Sequence, residues 1–121
     1  MNQIKDYNKT TFEDIKHTSE NGEEFWYARD LMTALEYSKW RNFEKVVEKA
    51  KTACEASNNN INNHFADAGK TIQMPKGASK IIKDYKLTRY ACYLIVQNSD
   101  PRKEVVVLGQ TYFAYQTKNK S

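Results

Sequence analysis

The clearest periodic pattern in the chain runs through "KWRNFEKVVEKAKTACEAS". Trp40, Phe43, Val47, Ala50 and Cys54 recur at spacings of three and four and share one face. Lys45, Glu48, Lys49 and Thr52 lie largely on the other. The pattern predicts an amphipathic helix, capped at its start by Ser38. Just before it, "ARDLMTALEYS" repeats the spacing with Ala28, Leu31 and Leu35 and predicts a shorter helix. "LTRYACYLIVQN" is apolar nearly all round. With Thr88 as its cap, it predicts a helix buried in the middle of the domain.

Two stretches read as hairpins. "FEDIKHTSENGEEFWY" has apolar ends around Asn21-Gly22, a dipeptide suited to a tight turn, and predicts strands over Thr11–His17 and Glu24–Tyr27. "AGKTIQMPKGASKIIKDYK" places Pro75-Lys76-Gly77 between two mixed runs and predicts a second hairpin with a basic tip. "SNNNINN" predicts an exposed loop, and residues 1–10 a loose polar lead-in.

The segment "NSDPRKEVVVLGQTYFAYQT" gives conflicting signals. Asp100 and Pro101 suit a helix start, whereas "VVV" and "TYFAY" suit a strand by propensity. Val105, Leu108, Tyr112 and Tyr115 fall on one helical face, and strict alternation is not kept. The periodicity predicts a helix from Pro101 to about Lys118. Gly109 inside it costs roughly 1 kcal/mol relative to Ala and marks close packing against a neighbour. Val106, Tyr112, Phe113 and Tyr115 give this helix more apolar surface than one small domain readily covers. That predicts a homodimer through the last helix, or a further segment packed there.

The elements describe an α+β domain: two small β-hairpins packed on about four α-helices, in a single unit spanning residues 1–121. Charged residues at 28% and hydrophobic ones at 40% are an ordinary globular balance. No apolar run approaches the roughly 20 residues of a membrane span, and the polar N-terminus has no signal-peptide pattern. Cys54 and Cys92 are far apart and sit in apolar helical segments, as small hydrophobes do. A reducing, cytoplasmic setting is expected.

Catalysis finds little support. His17 and His64 are the two histidines, and neither has a spaced Cys or acidic partner resembling a metal or nucleophile site. Four scattered glycines make no phosphate loop. The expectation is a non-enzyme without metal or cofactor.

The net charge of +4, from 19 Lys+Arg against 15 Asp+Glu, permits nucleic-acid binding without demanding it. Its distribution says more. Lys70, Lys76, Lys80, Lys83 and Lys86 precede Arg89 with Asp84 alone opposing them, and Arg102 and Lys103 follow. "YARDLMTALEYSKWRNFEKVVEKA" has the outline of a helix-turn-helix with Arg41, Lys45 and Lys49 facing solvent. An ordinary helical hairpin with a solvated face gives the same pattern, and Glu44 and Glu48 dilute the basic surface. Lys76 and Lys80 at a β-tip can reach phosphates or simply keep the tip soluble. Arg102 and Lys103 in a first helical turn can converge on one phosphate or point to solvent. The candidate contact residues for nucleic acid or a partner are Arg29, Lys39, Arg41, Lys45, Lys76, Lys80, Arg89, Arg102 and Lys103.

"WYARDLMTALEYSKWRNFEKVVEKAKTAC", "HFADAGK", "KDYKLTRYACYLIVQNSDPRKE" and "GQTYFAYQT" together resemble the N-terminal half of the bacterial DNA-damage-inducible protein D family. That half resembles in turn the Bro-N domain of phage antirepressors and viral BRO proteins. The likeness covers roughly Phe12 to Thr117. It implies a Bro-N-like α+β fold that binds DNA. It also implies SOS-type induction and association with RecA-type recombinase filaments on single-stranded DNA, where strand exchange is opposed. Family members carry a second half that this sequence lacks. The resemblance supplies no catalytic residues. Two functions follow as expectations: a DNA-contacting regulatory module, or a protein-interaction domain of the antirepressor type that touches DNA little.

Overall fold

The computed structural model describes residues 11–119, with side chains described through residue 114. Four strands form one antiparallel sheet: β1 (Lys16–Thr18), β2 (Glu24–Tyr27), β3 (Phe65–Gln73) and β4 (Ser79–Leu87), in the order β1-β2-β4-β3. The two predicted hairpins are therefore not separate. Trp26↔Leu87 and Tyr27↔Lys86 pair β2 with β4 and fuse them into a single sheet. The helices are α1 (Ala28–Ala34), α2 (Trp40–Ala56), the short α3 (Ile61–His64), α4 (Arg89–Gln97) and α5 (Glu104–Asn119).

Side chains alternate across a strand, so the sheet presents one face to the helices. Trp26, Phe65, Tyr85 and Leu87 are buried on that face. They meet Leu31 of α1 and Leu35 just after it, Phe43, Val47 and Ala50 of α2, Ile95 and Val96 of α4, and Val106 and Phe113 of α5. Helix α4 is buried through Ala91, Cys92, Leu94, Ile95 and Val96, as its all-round apolar pattern predicts. Thr88 caps it, its Oγ1 accepting from the Ala91 N–H at 3.1 Å.

Several local expectations are corrected. Residues 11–14 are helical, not part of a strand. Phe12 enters the core there, against Tyr112 and Phe113 at 5.4 and 5.1 Å between ring centroids, and its carbonyl accepts from the Trp26 indole at 2.9 Å. Asn21-Gly22 do not form a two-residue turn. The Gly22 N–H donates to the Ser19 carbonyl, and Gly22 takes the left-handed conformation at φ 82°, in a longer loop between Thr18 and Glu24. Ser38 does not cap α2: the capping position is Lys39, with no side-chain bond. Within the Asn run, Asn60 accepts from the Asn62 N–H at 2.9 Å and starts α3, so residues 61–63 are helical. The ambiguous last segment is helical, as expected, but its buried face is Val106, Gly109 and Phe113 rather than Val105, Leu108 and Tyr112, and α5 starts at Glu104. Asp100 is occupied in a turn, accepting from the Arg102 N–H at 3.0 Å, so Pro101, Arg102 and Lys103 precede the helix.

Val106 and Phe113 are fully buried, and Tyr112 packs against the core. The apolar surface that raised the expectation of a homodimer is, at these positions, covered internally. The side chain of Tyr115 lies outside the described residues. Gly109 is a close approach: a Cβ there would lie 3.0 Å from Phe12 and 3.3 Å from Val96. No helix among the described residues is long and apolar enough to cross a membrane.

Candidate nucleic-acid interface

Strands β3 and β4 stay paired for nine rungs, from Phe65↔Leu87 to Gln73↔Ser79. The inner rungs are fixed by the core. Phe65, Tyr85 and Leu87 are buried, and Asp84 accepts from the Arg29 N–H at 3.0 Å and the Tyr85 N–H at 2.8 Å. From Gly69 to Lys83 no residue is buried. These outer rungs form a two-stranded ribbon reaching roughly 15 Å past the core, at about 3.4 Å per residue.

The ribbon's composition is distinct. From Gly69 through Lys83 there is no acidic residue and there are four lysines. Lys70, Lys76 and Lys80 are exposed and form no ion pair or hydrogen bond with any described residue. Lys83 differs: it bridges Glu44 of α2 at 3.0 Å and sits 5.4 Å over the Tyr85 ring. Its hydrogen bond to Glu44 raises its pKa, and the pair ties the ribbon's base to α2. Lys70, Ile72, Lys80 and Ile82 lie on one ribbon face by register. Ile81 lies on the other, 73% exposed. Gly69 makes room for it, since a Cβ there would fall 2.8 Å from the Ile81 Cγ2.

At the tip the Met74 N–H donates to the Ala78 carbonyl at 2.8 Å and closes the loop. Lys76 and Gly77 both adopt left-handed backbone, at φ 66° and 76°. The tip thus holds Met74, itself 39% exposed, beside Pro75 and Lys76.

The other candidate cations are dispersed. Arg41 and Lys45 are exposed on α2 without a partner among the described residues, and Lys39 is exposed at the helix start. The Arg29 Nε donates to the Lys83 carbonyl at 2.8 Å, and its guanidinium lies 4.1 Å over the Trp40 ring, so it joins α1 to β4. Arg89 is 6% exposed and pairs with Glu24, which puts it inside the fold and off any contact surface. Arg102 is exposed but folds back on Asp100, and that pairing lowers the Asp100 pKa. The Lys103 Nζ donates to the Glu36 carbonyl at 2.8 Å and lies 3.6 Å over the Tyr37 ring. The pair in "DPRK" therefore does not converge at a helix N-terminus. Of the candidates, the ribbon brings together Lys76 and Lys80. It adds Lys70, which counting the register outward from Phe65 would have found.

Among the described residues, no three His, Cys, Asp or Glu side chains are grouped to hold a metal ion. Cys54 and Cys92 are buried free thiols, both with pKa raised by desolvation. His64 faces Thr88, and His17 stacks on Phe25 at 5.3 Å.

The fold is thus a four-stranded antiparallel sheet under helices, with a basic hairpin projecting from it. The profile of the BRO family, N-terminal domain, matches residues 14–114, and the chain belongs to that family. It is similar to DNA damage-inducible protein D of Escherichia coli (strain K12), at 47% identity over 109 residues. That is 90% of this chain and 40% of that protein, so the chain spans well under half the length of this curated relative. No solved structure matches it.

Proposed function

We propose that this domain is a non-catalytic regulatory module of the DNA-damage response that contacts DNA through the β3–β4 ribbon. The relative's name and the family membership support the damage-related role. The observation that carries the DNA contact is the acid-free ribbon. Lys70, Lys76 and Lys80 stand clear of the core with no partner among the described residues. Lysines on a projecting ribbon can follow a phosphate backbone without reading bases. Association with a recombinase filament belongs to this proposal as the setting in which the contact operates.

The test is a binding titration with duplex and single-stranded DNA at two salt concentrations, on the wild type and on Lys70→Ala/Lys76→Ala/Lys80→Ala. The wild type is expected to bind with an affinity that falls steeply with salt. In the variant the slope should be shallower by roughly 0.9 for each duplex phosphate that is no longer neutralised. A wild type that binds neither form moves the reading to a protein partner.

A further inference from the structure

The lysines account for attraction to DNA. They do not account for the apolar side chains beside them. Ile81 is 73% exposed and Met74 39% exposed, and both sit on a hairpin that otherwise reads as a solvated basic arm. A ribbon needing only solubility would carry polar residues there. The other isoleucines, Ile72 and Ile82, are half-buried and lie near each other across the strands on the lysine face, so they hold the ribbon together. Met74 and Pro75 have no such role, for they lie beyond the last rung, Gln73↔Ser79.

The tip is also held in shape. The Met74–Ala78 hydrogen bond closes the loop, in which Lys76 and Gly77 take left-handed backbone. Pro75 has one free backbone torsion fewer than other residues, so the apolar tip is presented with little entropy left to lose. At the base, the Lys83–Glu44 ion pair fastens the ribbon to α2. A ribbon with Lys70 and Lys80 on one face, one from each strand, and an apolar apex carries the parts that minor-groove binders use. In that groove, Met and Pro side chains can wedge between base steps while cations hold the two backbones.

We propose that the β3–β4 ribbon enters the minor groove of duplex DNA and that Met74 and Pro75 insert between base steps, kinking the duplex. Lys70 and Lys80 reach the backbones along the ribbon, and Lys76 does so at the apex. The proposal rests on the DNA-contact reading and adds to it the DNA form, the groove and the deformation.

The experiment uses the chain as it stands with short duplexes labelled at both ends. Energy transfer between the ends reports bending, and a parallel titration reports affinity. The variants are Met74→Ala/Pro75→Ala and Lys70→Ala/Lys76→Ala/Lys80→Ala. Each is checked for an unchanged melting temperature, and Met74→Gln serves as a second tip variant should the double one disturb the loop. The wild type is expected to bring the duplex ends closer, and a minor-groove-binding drug is expected to compete. The tip variants are expected to lose the bend while keeping the salt slope. The lysine variant is expected to lose affinity and slope together. Wild-type binding to duplex without bending, bending retained in both tip variants, or binding to single strands alone would overturn the wedge and leave the DNA-contact reading intact. Absence of binding to any DNA would remove both.

Discussion

Arg89 donates from Nε and Nη2 to the two carboxylate oxygens of Glu24, at 2.5 and 2.9 Å, joining the first residue of α4 to the first residue of β2. A cation at a helix N-terminus is misplaced by the helix dipole. Glu24 offsets it, and the guanidinium also lies 5.0 Å from the ring centroids of Trp26 and Tyr112. The side chains are 6% and 15% exposed, and the Lys16 ammonium also lies 3.9 Å from the Glu24 carboxylate. Breaking such a pair from one side is costly, because the remaining charge stays desolvated. Arg89→Ala is expected to lower unfolding stability by about 3 kcal/mol in urea titrations. The double variant Arg89→Met/Glu24→Gln is expected to recover part of that loss. A single variant with wild-type stability would show that the pair does not hold β2 to α4.

Arg102 and Lys103 are neighbours in sequence with opposite consequences. The Arg102 side chain is 89% exposed, and its bonds to Asp100 are at the surface. Its removal should leave stability close to that of the wild type. Lys103 closes the end of α1, where the Glu36 and Leu35 carbonyls accept from its ammonium and Tyr37 lies beneath it. Lys103→Ala should cost about 1 kcal/mol or more, and Lys103→Met, which keeps the stem, nearly as much. Thermal melts of the three variants decide the ordering. Equal losses for Arg102→Ala and Lys103→Ala would contradict these contacts.

The same residues show what can be read from the sequence. The cap of Thr88, the tip at Pro75-Lys76-Gly77 and the apolar face of α2 depend on near neighbours, so spacing and residue type are enough to find them. Arg89 cannot be read that way. A charged residue opening a helix looks like surface until Glu24, 65 positions earlier, is placed beside it. The helical segment at residues 11–14 is too short for periodicity to separate from a strand, and what decides it is Phe12 entering a core built mainly from later residues. The start of α5 is ambiguous because Asp100 can cap a helix or close a turn with Arg102, and local sequence favours neither. The ribbon lysines are legible as a basic tip. Their isolation from acidic partners is not, because it depends on where the core ends along β3 and β4.

Gly109 sets two effects against each other. By propensity, Gly→Ala inside a helix gains about 1 kcal/mol. Here the new methyl would meet Phe12 at 3.0 Å and Val96 at 3.3 Å, and both side chains are fully buried with little room to give. Overpacking of this kind costs about 1–3 kcal/mol. Packing is expected to win, so Gly109→Ala should be less stable than the wild type and Gly109→Val much less. Measured stability that rises in Gly109→Ala would mean that α5 can shift away from Phe12.

His64 gives the fold a pH dependence whose sign follows from its surroundings. Its Nδ1 lies 2.6 Å from the Thr88 Oγ1, and its ring packs edge-on against Tyr90. The Thr88 oxygen already accepts from the Ala91 N–H, so its own proton is available to the ring nitrogen, an arrangement that suits neutral imidazole. Desolvation lowers the His64 pKa below its ordinary value. The unfolded chain then takes up the proton more readily than the folded one. The stabilisation is complete above the unfolded value of about 6.5 and is lost as pH falls through the lower folded value. Glu13 and Asp100 are shifted in the same direction from much lower starting points, so their effects begin at more acid pH. Between about pH 7.5 and pH 5.5, wild-type stability is therefore expected to decline, and His64→Gln should flatten that decline. Denaturant titrations across this window, paired with an NMR titration of the His64 ring, make the comparison. An equally steep decline in His64→Gln, or a ring that titrates above the unfolded value, would show that the neutral form is not the one the fold selects.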